Sequence, residues 1–152
     1  KVGYIKTAQA AITDLSIGVL NGIFYNAATT LKPTWANWYN QPITPANSED
    51  LTAFVLDNPF QLFVCATDGA VAQAGYGKTY GVTVTAAGSE ISGQSSSTLT
   101  TGTVSNTANQ WRLLRSAEDP SNNESAAYRS VVVAHNLNQY LQNTGTAGIT
   151  WQ

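Results

Sequence analysis

The fragment Gly77-Lys78-Thr79 ends as a phosphate-binding loop ends, where backbone N–H groups and a lysine cradle phosphates. The rest of that pattern is absent. The position five residues before Gly77 holds Ala72 instead of glycine, and Tyr80 to Thr85 reads as a strand where a helix should open. The triplet is expected to form a β-turn. His135 is the single histidine, so a zinc site of the common His-rich or Cys/His kind lacks ligands. Acting as a general base would require an orienting carboxylate or a nearby nucleophile. At the end of Val131 to Ala134 it is expected to close a strand. Carboxylates occur as Glu49-Asp50 and Glu118-Asp119, with the other five alone. Neighbours on an extended chain point to opposite faces, so neither pair offers the two facing carboxyls that glycoside hydrolysis needs. A hydrolase would depend on tertiary pairing of dispersed acids. No Asp-x-Asp-x-Asp/Asn-Gly series suggests calcium. Neither a cofactor nor a catalytic set is expected. Asn123-Glu124-Ser125 fits the glycosylation pattern, which has meaning only in a secretory context.

The aromatic residues Trp35, Trp38, Tyr39 and Trp151 are the remaining candidates. Rings on a neutral surface stack on sugars or plug into pockets of another protein. One or two of them closing the hydrophobic core is the other reading, and the sequence leaves both open.

The elements that would position these rings follow from composition and pattern. The 152 residues suit one domain with one sizeable core. Only 11% are charged and the formal net charge is −2, which argues against nucleic acid or an anionic membrane as a partner. No apolar run reaches the length of a membrane span. Thr, Ser, Asn, Gln, Ala and Gly replace the missing charge, a surface suited to docking against protein. Cys65 lies in the apolar run Phe60 to Ala66 and is expected to be a small core hydrophobe.

Residues 1–50 read as a loop-rich part or arm. Ile12 to Leu20 is a short helix or strand, stopped by the Asn21-Gly22 turn signal, and Leu31 to Pro45 is a loop pinned by its rings. Residues 51–135 read as a β core. Its strands are Phe54 to Leu56, Phe60 to Ala66, Val82 to Thr85, Gln110 to Arg115 and Tyr128 to Ala134. The stretch 88–108 is so polar that it is expected to be a flexible or partner-contacting hairpin. Residues 136–152 read as an arm or edge strand. The expected fold is mainly β: a small sandwich or barrel with extended loops and arms and at most short helices.

The C-terminal third runs from Trp111-Arg112-Leu113-Leu114-Arg115 through Glu118-Asp119-Pro120-Ser121-Asn122-Asn123-Glu124 to Tyr128-Arg129-Ser130-Val131-Val132-Val133. His135-Asn136-Leu137-Asn138-Gln139-Tyr140 and a Gly145-Thr146-Ala147-Gly148-Ile149 tail follow. Together with Asp57-Asn58-Pro59-Phe60-Gln61-Leu62-Phe63, this resembles the head decoration, or cement, proteins of tailed bacteriophages. The first fifty residues carry no such likeness. The resemblance implies a non-enzymatic virion protein on the outer surface of the capsid. It would bridge neighbouring major capsid protein subunits, with self-association, as a trimer, by analogy with the family. Contact candidates on this reading are Trp35, Trp38, Tyr39, Tyr140, Thr144, Thr146, Ile149 and Trp151. A phage fibre or carbohydrate- and host-binding β module is the alternative, motivated by the Trp35/Trp38/Tyr39 cluster.

Overall fold

Short runs rich in β-branched and aromatic residues build two sheets in the computed structural model. It describes residues 15–39, 43–48, 51–84, 89, 91–123, 125–138 and 140–141. The first sheet has three antiparallel strands, β1 (Val19–Asn26), β2 (Pro33–Ala36) and β3 (Thr52–Leu56), in the order β2-β1-β3. The second is a closed barrel of β4 (Leu62–Thr67), β5 (Thr79–Val84), β6 (Ser97–Ser105), β7 (Trp111–Ser116) and β8 (Ser130–His135), in the order β4-β6-β5-β7-β8. Only the β4/β6 pairing is parallel, at Ala66 opposite Thr98 and Thr67 opposite Leu99. The fold is mainly β. Helical geometry among the described residues is limited to two 3-10 turns, Ala46–Ser48 and Gln73–Gly75.

The barrel core follows the period of two. Val131 and Val133 of β8 face inward with Leu113, Leu99, Tyr80 and Val71, and Phe63, Cys65, Tyr76, Val82 and Trp111 pack around them. Each fully buried side chain of this kind contributes roughly 1.5–3 kcal/mol. Some of the polar groups inside have specific partners, whereas among the described residues the Thr67 and Thr98 hydroxyls are buried without one. Tyr80 donates its hydroxyl to the Gly75 carbonyl at 3.0 Å, and Arg129 donates to the Val71 carbonyl and the Tyr76 hydroxyl while lying over the Tyr76 ring. Asn122 holds the β7–β8 connection: its Nδ2 donates to the Ser116 hydroxyl and the Ala117 and Ser130 carbonyls, and its Oδ1 accepts from the Ser130 N–H.

Four local expectations change. The stretch 88–108 holds β6, whose Leu99 is fully buried and whose Thr98 is nearly so. Threonine is β-branched and fits a pleated surface, so a Thr-rich strand with one inward leucine builds a barrel wall that composition alone presents as a polar hairpin. Val82 to Thr85 begins three residues earlier, at Thr79, where the Gly77 turn (φ +79°) ends. No helix follows Gly77-Lys78-Thr79, and the triplet is a turn into β5. The Asn21-Gly22 pair lies inside β1 instead of ending it, at a bulge where the register against β3 shifts between Leu20 and Gly22. Finally, the ring-pinned loop contains β2, an edge strand that begins at Pro33, where a missing N–H disturbs no ladder.

Two joints connect the sheets. Ser16 donates its N–H and its hydroxyl to the Leu137 carbonyl, both at 3.2 Å, and Asn138 donates its Nδ2 to the Ile17 carbonyl. The β5–β6 connection supplies the second joint. Gly93 has a φ of +70°, its N–H donates to the Ser89 carbonyl, and its Cα lies so close to Trp38 that a Cβ would overlap the indole. Glycine is required there by both the backbone conformation and the ring.

Candidate docking surface

The antiparallel register decides which side of the three-stranded sheet each residue occupies. Phe24 pairs with Trp35 on one side and Thr52 on the other, and Gly22 pairs with Phe54. Period-two alternation then places Phe24, Trp35, Phe54 and Leu56 on one face. All four are exposed, by 40%, 46%, 46% and 43%. Ile23, one step along the strand, is 3% exposed on the opposite face. The open face is thus uncharged and mostly apolar, with Thr52 as an exposed polar member opposite Phe24, and the covered face carries Ile23, Ala36 and Ala53 inward.

Gly22 explains how the rings meet. β2 and β3 are separated by β1, yet Trp35 and Phe54 have ring centroids 4.9 Å apart at an interplanar angle of 60°. With no side chain at Gly22, the indole lies directly over the β1 backbone, and a Cβ there would overlap Trp35. Trp35 donates its Nε1 to Asn37 Oδ1 at 2.7 Å, so the ring is oriented and its one polar atom is satisfied. None of the residues of β1, β2 and β3 is charged. With aromatic side chains worth about 150–250 Å² each, the uncovered area comes to roughly 300–400 Å², the range in which an exposed patch on a monomer is commonly functional.

A second apolar strip lies on the barrel. β4 turns Leu62 and Val64 outward, 47% and 65% exposed, with Phe60 just before the strand. Among the described residues, β4 pairs with β8 from Leu62 to Ala66 but with β6 only at Ala66 and Thr67. Among the described residues, no strand pairs with the side of Leu62–Cys65 away from β8, and a backbone left in that state is the kind of template onto which a further strand pairs.

The expected contact residues separate. Trp35 is on the open face. Trp38 lies beyond the end of β2 and lines a pocket with Tyr25 and Ala36 on the other side of the sheet. Tyr39 follows it at the border of exposure, and Tyr140 is exposed in a turn where its N–H donates to Asn138 Oδ1. Thr144, Thr146, Ile149 and Trp151 lie outside the described residues. Phe24, Phe54 and Leu56 were not among the expected contacts. The strand character of Phe54-Val55-Leu56 was visible, but three apolar residues in a row do not say which side stays open, and that depended on β1, whose strand character the Asn-Gly signal concealed.

The titratable groups are tied into the fold. His135 continues the inward series of Val131 and Val133. It stacks on Trp111 (4.3 Å, 30°), meets Phe63 edge-on, and has its Nδ1 3.2 Å from the Ser16 hydroxyl. Burial holds its pKa below the usual histidine value. Its Nε2 is buried, and among the described residues it has no hydrogen-bond partner. Asp68 Oδ1 accepts from both the N–H and the hydroxyl of Thr101, at 2.7 Å each. Arg115 and Glu118 form an exposed ion pair at 2.7 Å. Among the described residues, no three His, Cys, Asp or Glu side chains gather to hold a metal.

No protein-family model, curated protein or solved structure matches the chain.

Proposed function

We propose that this chain is a non-enzymatic virion structural protein that binds the outer surface of an assembled bacteriophage capsid, bridging neighbouring major capsid protein subunits and stabilising the head. The observation that carries docking is the uncharged open face of Phe24, Trp35, Phe54 and Leu56. The choice of a capsid as the surface rests on the likeness of the C-terminal third to head decoration proteins.

The physics of the face fits that role. Its roughly 300–400 Å² per copy is below the ~800 Å² per partner of a standard stable interface. A single contact of this size is weak. A second strip, Phe60, Leu62 and Val64 with the β4 edge, gives the protein another surface on a different sheet, and two weak contacts made together raise the effective concentration of each. Bridging two subunits of a lattice is the arrangement that uses both. Self-association of copies, as trimers at local three-fold axes, belongs to the same proposal through the resemblance.

Co-sedimentation with capsids stripped of accessory protein tests it. Saturable binding that is lost on Phe24→Ser and Phe54→Ser supports the reading. A folded protein that binds neither unexpanded nor expanded capsids overturns it.

A further inference from the structure

Trp35 and Trp38 are three residues apart and serve opposite sides of the same sheet. Behind Trp38 lies a pocket of about 410 Å³, walled by Tyr25 and Ala36 of the sheet, by Trp38, Thr29 and by Ile43 and Thr44 of the segment that returns along the β1–β2 turn. That segment is fixed by backbone pairing. Ala28 donates its N–H to the Thr44 carbonyl at 3.1 Å, and Ala27 bridges Pro45. The volume lies within the usual range for small-molecule sites.

From this pocket we infer a binding site for a neutral hexopyranose unit, separate from the capsid-docking face. Three observations define the ligand. None of the described lining residues is charged, so a phosphate, carboxylate or ammonium group would be partly desolvated with no compensation from them. Two of the walls are aromatic, and a sugar ring presents an apolar face of C–H bonds that stacks on an indole or phenol. Hydroxyls are available, because Thr29 and Thr44 line the pocket, are exposed, and can exchange hydrogen bonds with sugar hydroxyls in either direction.

The pocket is also prepared. Trp38 is backed by Gly93, whose missing Cβ makes room for the indole. The ring that would stack on the sugar is held by the β5–β6 connection before any ligand arrives, which lowers the ordering cost of binding. The tilted Trp35–Phe54 pair on the other face has no such shape. With planes 60° apart, it offers a wedge for a protein side chain and no single platform for a sugar ring.

The test uses the full chain with three probes, methyl α-D-glucopyranoside, methyl β-D-galactopyranoside and N-acetyl-D-glucosamine, followed by saturation-transfer NMR and tryptophan fluorescence. The expected result is saturable binding of at least one probe. Trp38→Leu and Thr44→Val should weaken it tenfold or more, Trp35→Ser should leave it unchanged, and a sialic acid probe should bind at least tenfold less tightly than the best neutral one. Thr44→Val is nearly isosteric and exposed, so it tests the site even if Trp38→Leu disturbs folding. The inference is overturned if none of the three probes saturates up to about 50 mM, weaker than a millimolar-class site. It is equally overturned if binding survives both pocket substitutions or if the charged probe binds as well as the neutral ones. Capsid co-sedimentation by Thr44→Val should be normal, so failure here is distinguishable from failure of the docking reading.

Discussion

Trp35 rests over the backbone of Gly22 and meets Phe54 from the far side of the sheet, with ring centroids 4.9 Å apart. One missing side chain on the central strand thus joins aromatic residues of the two outer strands into a single exposed surface. Because that surface is uncharged and uncovered, its substitutions should separate binding from folding.

Phe24→Ser and Phe54→Ser should each weaken capsid attachment about tenfold or more, as expected for an aromatic anchor. Stability should fall by no more than about 1.5 kcal/mol, since both rings are already partly in water. Sedimentation of bound protein alongside urea denaturation separates the two effects. Unfolding in place of lost binding would make the face structural.

Gly93→Ala and Gly77→Ala place alanine at the same kind of positive φ, +70° and +79°. Both carry backbone strain of about 1–3 kcal/mol. At Gly77 nothing lies within reach of the new methyl, whereas at Gly93 it meets Trp38. Urea midpoints should show Gly93→Ala as clearly the more destabilising, with a change in tryptophan emission that Gly77→Ala does not produce. Equal costs would mean that the Gly93–Trp38 joint contributes nothing.

Burial lowers the pKa of His135 in the folded protein. The unfolded chain therefore binds the proton more readily, and stability rises with pH wherever that difference operates. The contribution is intact above the ordinary histidine value near 6.5 and is lost as pH falls through it, levelling off below the folded pKa. Urea midpoints between pH 8 and 5, above the range of ordinary carboxylates, should decline toward acid. His135→Gln should flatten the slope. A wild-type profile that stays level would contradict the buried neutral imidazole.

Cys65 packs against the barrel core, and burial pushes its thiol up to about 12. Thiolate is the reactive form, so a disulfide reagent at pH 8 should leave native protein unmodified and label it fully in denaturant. Rapid native labelling would show that the β4 edge opens.

The barrel was largely legible because Phe60 to Ala66, Gln110 to Arg115 and Tyr128 to Ala134 carry apolar side chains in strand-length runs between turn formers. Which of their residues point inward was not legible, because runs such as Leu62 to Ala66 and Val131 to Val133 are apolar at every position. β6 was hidden because a strand built from Ser, Thr and Gly has the composition of a loop, and only its neighbours make its burial worthwhile. β1 was hidden by Asn21-Gly22, where the glycine serves the packing of Trp35 and makes no turn. Without β1 the faces of β2 and β3 had no reference. Trp35 and Trp38 were therefore legible as candidates, but their assignment to opposite sides, and the roles of Phe24 and Phe54, required the register.

The most direct test is co-sedimentation of the wild-type chain and the Phe24→Ser/Phe54→Ser double variant with expanded capsids stripped of accessory protein. Saturable wild-type binding, abolished in a double variant that remains folded, is the predicted result. Wild-type protein that stays in the supernatant, or a double variant that binds as the wild type does, would contradict the claim that the open aromatic face docks this protein on a capsid.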